Sequence, residues 1–200
     1  MSEKKQQNLA EYIGCLRVLE SETSLLYSKI AAKVDYPLVK ALLEQIALDS
    51  QKHSVLLKGI SESITQQKIN EKKCAKNVET LQLTERLIDE VAEMQNISSE
   101  DLTRLSSILK TLESSMAEEY FIVIQMKTLE MLMKEINQMY NVDLASVKDI
   151  FMNIIYDEDR HTEILEKIKN LVVEKEPPST DPFVKFQNPD AWSQPPRADF

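Results

Sequence analysis

The chain has 200 residues and a mass of 23.0 kDa, enough for one domain, or one domain with a tail, and too few for two full cores. With only 2 Gly, and neither GxGxxG nor GxxxxGK[ST], it cannot build the glycine-rich loops of nucleotide sites. A formal charge of −9 argues against general affinity for nucleic acid or an anionic membrane, and suits the attraction of cations.

No apolar run approaches the roughly 18 residues of a membrane span, and the N-terminal MSEKKQQNLA lacks the apolar stretch of a secretory signal, so a cytoplasmic location is expected. Cys15 and Cys74 lie far apart without a CxxC pair, which excludes a rubredoxin-like or zinc-knuckle site and reads as two separate, reduced thiols.

From Asn8 to Val34, the residues Tyr12, Ile13, Leu16, Leu19, Tyr27, Ile30 and Val34 recur at steps of three and four, predicting a long amphipathic helix that ends at Asp35-Tyr36-Pro37. Pro37 suits the first turn of a second helix, whose inner face is expected to run Leu38, Leu42, Ile46, His53, Leu57 and Ile60 until polarity rises at Ser61. The short link makes these two helices antiparallel neighbours. Residues 61–98 are polar but keep Val78, Leu81, Leu87, Ile88 and Val91 at helical spacing, so they read as a long crossover with its own helix.

Ser98 or Ser99, followed by Glu100 and Asp101, predicts the cap of a third long helix carrying Leu105, Leu109, Leu112, Met116, Val123, Met126 and Met133. A break is expected from Asn141 to Ser146. Ser146 and Asp149 have capping-box spacing, and Val147, Phe151, Ile154, His161, Leu165, Ile168 and Val172 mark a fourth long helix that Pro177-Pro178 stops. The expected architecture is an all-α, antiparallel four-helix bundle over residues 1–175, with residues 176–200 an extended or disordered tail rich in Pro and aromatics. Phe183, Phe186, Trp192 and Phe200 could dock that tail on the bundle or on a partner protein.

The 2 histidines of the chain occupy one register of two helices. Ile46, Asp49, Lys52, His53, Leu57 and Ile60 fall on Ile154, Asp157, Arg160, His161, Leu165 and Ile168, which implies a pseudo-twofold bundle. Glu20 lies in the apolar seam of the first helix, and Glu20 and His53 lie almost equally far from the link between their helices, hence at similar depth. A buried carboxylate needs a cation or hydrogen-bond donors. Glu158-x-x-His161 sets a second carboxylate and imidazole on one helix face. One His on an apolar face is more often a satisfied core residue. Two in register, each near acids, point to metal.

With Glu20-Ser21-x5-Tyr27, Asp49-Ser50-x-x-His53, Glu118-Glu119-Tyr120 and Asp157-Glu158-x-x-His161 in place, the chain resembles the ferritin-like superfamily, and within it the rubrerythrin-type di-iron proteins, over roughly residues 8–172. In such proteins a Glu from each of two helices and a Glu-x-x-His from each of the other two hold the metal pair. The resemblance implies Glu20, His53, Glu119, Glu158 and His161 as metal ligands, iron as cofactor with manganese or zinc as alternatives, and ferroxidase or peroxide-reducing chemistry on O2 or peroxide with an external electron donor.

Glu119 is preferred in the third helix because Glu-Glu-Tyr matches the family pattern, with Glu118 and Glu130 left open. Ser50 stands where the second helix should supply a bridging Glu, and Asp49 is the nearest carboxylate that could replace it. Asp49 and Asp157 could instead orient the histidines, with Tyr27, Tyr120 and Tyr156 as further supporting residues. The alternative function is a metal-depleted or single-metal module acting in assembly through its tail. A homodimer is also compatible with the sequence.

Overall fold

The computed structural model describes residues 3–65, 70–125 and 145–173; the expected tail and Glu130 lie outside these ranges. All the described regular structure is helical: α1 (Glu3–Ala32), α2 (Pro37–Ile64), a 3₁₀ turn (Glu71–Lys73), α3 (Cys74–Asn77), α4 (Glu79–Glu93), α5 (Ser99–Gln125) and α6 (Ala145–Val173). Helix α1 packs along α2, and α5 along α6. The crossover returns α3 and α4 to α1, and α2 meets α6 across the bundle. This is the expected all-α bundle with a long crossover.

The inner stripe of α1 is as expected. Ile13, Leu16, Leu19, Leu26, Tyr27 and Ile30 have no exposed surface, and Glu20 and Thr23 lie among them. In α2 Ile46, His53, Leu57 and Ile60 are buried as expected, joined by Ser50, but in the first turns Val39 and Leu43 take the inner positions expected of Leu38 and Leu42, and Leu38 is 59% exposed. Alternating steps of four and three keep this set on one side of the helix, and they place Ser50 on the same face as His53. Helix α2 also outlasts the rise in polarity at Ser61, because Ser61 is buried against α1 and donates a hydrogen bond to the Ala10 carbonyl at 2.9 Å. A polar residue satisfied by a neighbouring helix does not end its own.

Ser98 caps α5. Its hydroxyl accepts from the Asp101 N–H at 3.1 Å, and Asp101 Oδ2 accepts from the Ser98 N–H at 3.1 Å, a reciprocal capping box with an acid one methylene shorter than usual. The Ser98 hydroxyl also donates to Asp101 Oδ2 at 2.5 Å, and this bond, with that from the Ser98 N–H, holds the Asp101 carboxyl below its ordinary range. Helix α6 is described from Ala145, so Ser146 lies inside it rather than capping it, while residues 141–144 of the expected break lie outside the described residues.

The crossover is fastened to α1 at both ends. Lys33 Nζ donates to the carbonyls of Val91 at 2.6 Å and Ala92 at 3.0 Å, and also to that of Met94, closing the C-terminus of α4 where a cation is favoured. At the other end the sequence expectation is overturned. Cys15 and Cys74, both buried, form a disulfide across 59 residues, with their Cα atoms 5.0 Å apart. Spacing along the chain suggested separate thiols; the return of the crossover onto α1 brings them into bonding range.

Candidate metal centre

Five ionisable side chains meet midway along the bundle, and none of them has exposed surface: Glu20 from α1, His53 from α2, Glu113 from α5, and Glu158 and His161 from α6. They form two groups with one shared member. Glu20, His53 and Glu158 bring one ligand atom each within 4.8 Å of one another, and so do Glu113, Glu158 and His161. His53 Nδ1 lies 3.3 Å from Glu20 and 3.3 Å from Glu158. His161 Nδ1 lies 3.0 Å from Glu113 and 3.6 Å from Glu158. The imidazole centres are 6.2 Å apart, so Glu158 stands between two adjacent sites.

Each helix contributes for a local reason. Glu20 and Tyr27 are seven residues apart on α1, and Glu113 and Tyr120 are seven apart on α5, so each pair lies along one face. The pairs cross: the Tyr27 hydroxyl donates to Glu113 and the Tyr120 hydroxyl to Glu20. Burial, together with those carboxylates, pushes both phenols well above their ordinary range, which keeps them protonated donors.

A second crossed set lies on the outer side of the histidines. His53 Nε2 is 3.0 Å from Asp157 Oδ2, and His161 Nε2 is 3.5 Å from Asp49 Oδ2. Lys52 bridges Asp49 at 3.0 Å and Asp157 at 2.7 Å; Arg160 bridges the same two at 2.7 and 3.1 Å. Burial raises both aspartates, but the cations and imidazoles outweigh it and hold them below their ordinary range. A carboxylate against each Nε2 favours a proton there and turns Nδ1 toward the buried acids.

Burial alone would lower the His53 imidazole, yet Glu158 and Glu20 lift it to about 10. His161 is likewise raised, its burial outweighed by Glu113 and Asp49. Glu158 is pushed well above the carboxylate range by burial and by the charges of Glu113 and Glu20, whereas bonds from Glu158 and His161 bring Glu113 below it despite its burial.

Protons leave this cluster incompletely satisfied. Glu20 Oε2, His53 Nδ1 and both oxygens of Glu158 are buried without a well-aligned hydrogen bond, although ion-pair distances are short. Unpaired buried polar atoms of this kind cost several kcal/mol, and divalent cations would satisfy them. Carboxylate and imidazole donors suit Fe(II) and Mn(II). The residues present therefore fit a pair of such ions.

Glu20, His53, Glu158 and His161 come together where the sequence placed them. Glu119 does not join them. It is half-buried and accepts a hydrogen bond from the Tyr12 hydroxyl, while Glu118 is exposed. Glu113 takes the expected place in α5. Two stripes compete on that helix, Leu112-Met116-Glu119-Val123 and Leu109-Glu113-Met116-Tyr120-Val123, and helical period fits both. The signal that separates them is the repeat of Glu-x6-Tyr from α1. Asp49 does not replace the missing Glu at Ser50, since it lies against the outer nitrogen of His161. Tyr156 is 62% exposed and takes no part.

No curated protein and no solved structure matches the chain. The rubrerythrin family model does, over residues 18–169, a span that runs from just before Glu20 to the last turn of α6 and contains all five clustered side chains. With that match and a doubled helix pair enclosing a carboxylate-histidine cluster, the chain belongs to the rubrerythrin family, whose ferritin-like fold is built to hold metal.

Proposed function

We propose that this protein holds two iron ions, one on Glu20 and His53, the other on Glu113 and His161, with Glu158 shared, and that it oxidises ferrous iron or reduces peroxide. The observation that carries this reading is the shared, fully buried Glu158, whose two oxygens lack hydrogen-bond partners between two equivalent histidines. When bound, a ferrous pair supplies the two electrons that convert peroxide and two protons into two waters.

The chain's residues do the rest. Tyr27 and Tyr120 hold the terminal carboxylates at fixed angles, and Asp49 and Asp157 fix the imidazoles from outside. The surrounding Leu, Ile and Phe side chains exclude bulk water. The only 2 cysteines are bonded to each other, so no rubredoxin-type site can be built and reducing equivalents come from an external donor. Manganese fits the same donors. A single-metal module is the second reading, and Ser50 is the observation that favours it, because a neutral hydroxyl replaces a bridging acid.

Anaerobic loading with Fe(II), followed by elemental analysis and a peroxide-consumption assay with a reduced donor, tests the proposal. About two ions per chain are expected. Glu113→Gln should lose metal and activity, and Glu119→Gln should keep both. The reverse ranking, or no retained metal, overturns the assignment.

A further inference from the structure

The two halves of the centre match side chain for side chain: Glu20 with Glu113, Tyr27 with Tyr120, His53 with His161, Asp49 with Asp157, Lys52 with Arg160. One pair breaks the symmetry. Glu158 lies three residues before His161 and faces both groups, while its counterpart three residues before His53 is Ser50. Ser50 is 1% exposed and lies on the buried stripe of α2, with its hydroxyl turned back to the Ile46 carbonyl at 3.2 Å. Opposite Glu158, then, the centre is faced by a side chain shorter than Glu by about the size of an acetate group.

Charge points the same way. Two divalent cations among Glu20, Glu113 and Glu158 leave one positive charge uncompensated in a buried site, where a free charge is costly. Three protein donor groups per ion also leave coordination positions unfilled, since hard divalent cations take more.

Resting on the metal reading above, we infer that the position opposite Glu158, where Ser50 stands in place of the matching Glu, binds a small exogenous carboxylate, of formate to acetate size, which would serve the metal pair in place of the absent Glu. The Ser50 hydroxyl swings from the Ile46 carbonyl to donate to it. The monoanion neutralises the residual charge, and the burial of Ser50 restricts the position to small acids. This makes the centre's affinity and stability dependent on a ligand that its Glu-bearing relatives would carry in their own chain.

The test uses anaerobic Fe(II)-loaded full-length protein titrated with sodium formate, against sodium chloride at equal ionic strength and sodium benzoate as the oversized acid. Metal content and thermal midpoint are read together. Wild type should hold two ions and show a saturable rise in midpoint with formate alone, absent from the metal-free protein. Ser50→Glu should hold two ions, melt higher, and lose the formate response. Ser50→Ala keeps a short side chain but loses the donor, and should bind formate about tenfold more weakly.

The carboxylate site is overturned if two-ion wild type ignores formate, if Ser50→Glu responds as strongly as wild type, or if benzoate works equally well. One ion in wild type and two in Ser50→Glu also overturns it, in favour of a single-metal centre. No metal in either protein sinks the underlying metal reading itself.

Discussion

Glu113 and Glu119 sit on the same helix within two turns, yet only Glu113 has its carboxylate in the cluster, while Glu119 is occupied by Tyr12. Which acid enters the cluster is decided by the phase of α5 against α6, a property of packing that no residue states alone. The protonation of the cluster has a measurable consequence. His53 is lifted from an ordinary 6.5 to about 10, so in the metal-free protein its imidazolium contributes stability that is complete below pH 6.5 and lost as pH rises through about 10. Metal must displace that proton. Apparent Fe(II) or Mn(II) affinity should therefore rise with pH across the neutral range, with protons released on binding. Calorimetry in buffers of different ionisation enthalpy measures that release; binding without proton release would show that His53 is not protonated in the empty cluster.

At the scale of elements, the crossover depends on Lys33. This single side chain serves three carbonyls at the C-terminus of α4, a position that lacks a basic residue of its own in the last turn. Lys33→Met keeps the aliphatic stem and removes the donor. It should cost about 1–3 kcal/mol, with faster amide exchange in the last turn of α4, while metal content stays at the wild-type level. Scanning calorimetry and hydrogen exchange check both parts. The helices themselves were largely legible in the chain, since period, Pro37 and the Ser98–Asp101 box are local signals. The phase of α2 was less so: Leu38 and Val39 are both apolar, and only contact with α1 chooses between them.

For the whole molecule, the Cys15–Cys74 bond closes a loop of 59 residues that joins α1 to the crossover. The chain-entropy model assigns such a closure about 4 kcal/mol. Cys74→Ser, or full reduction in denaturant followed by refolding under reductant, should lower the thermal midpoint without removing the metal ligands. An unchanged midpoint would show that the crossover is held by packing and Lys33 alone. The bond replaces the two separate, reduced thiols that spacing along the chain suggested. Among the described residues no helix is long and apolar enough to cross a membrane.

By itself the sequence determined the helices, the doubled pair and four of the five clustered side chains, because helical period and the register of the two histidines are written in neighbouring residues. Tertiary structure alone decided the choice of Glu113, the Tyr27–Glu113 and Tyr120–Glu20 exchange, the outer Asp49–Asp157 lattice and the disulfide. Each of these joins residues on different helices. Their meeting depends on how helices rotate and slide against one another, and that is settled by side-chain packing across the bundle rather than by spacing along any one helix.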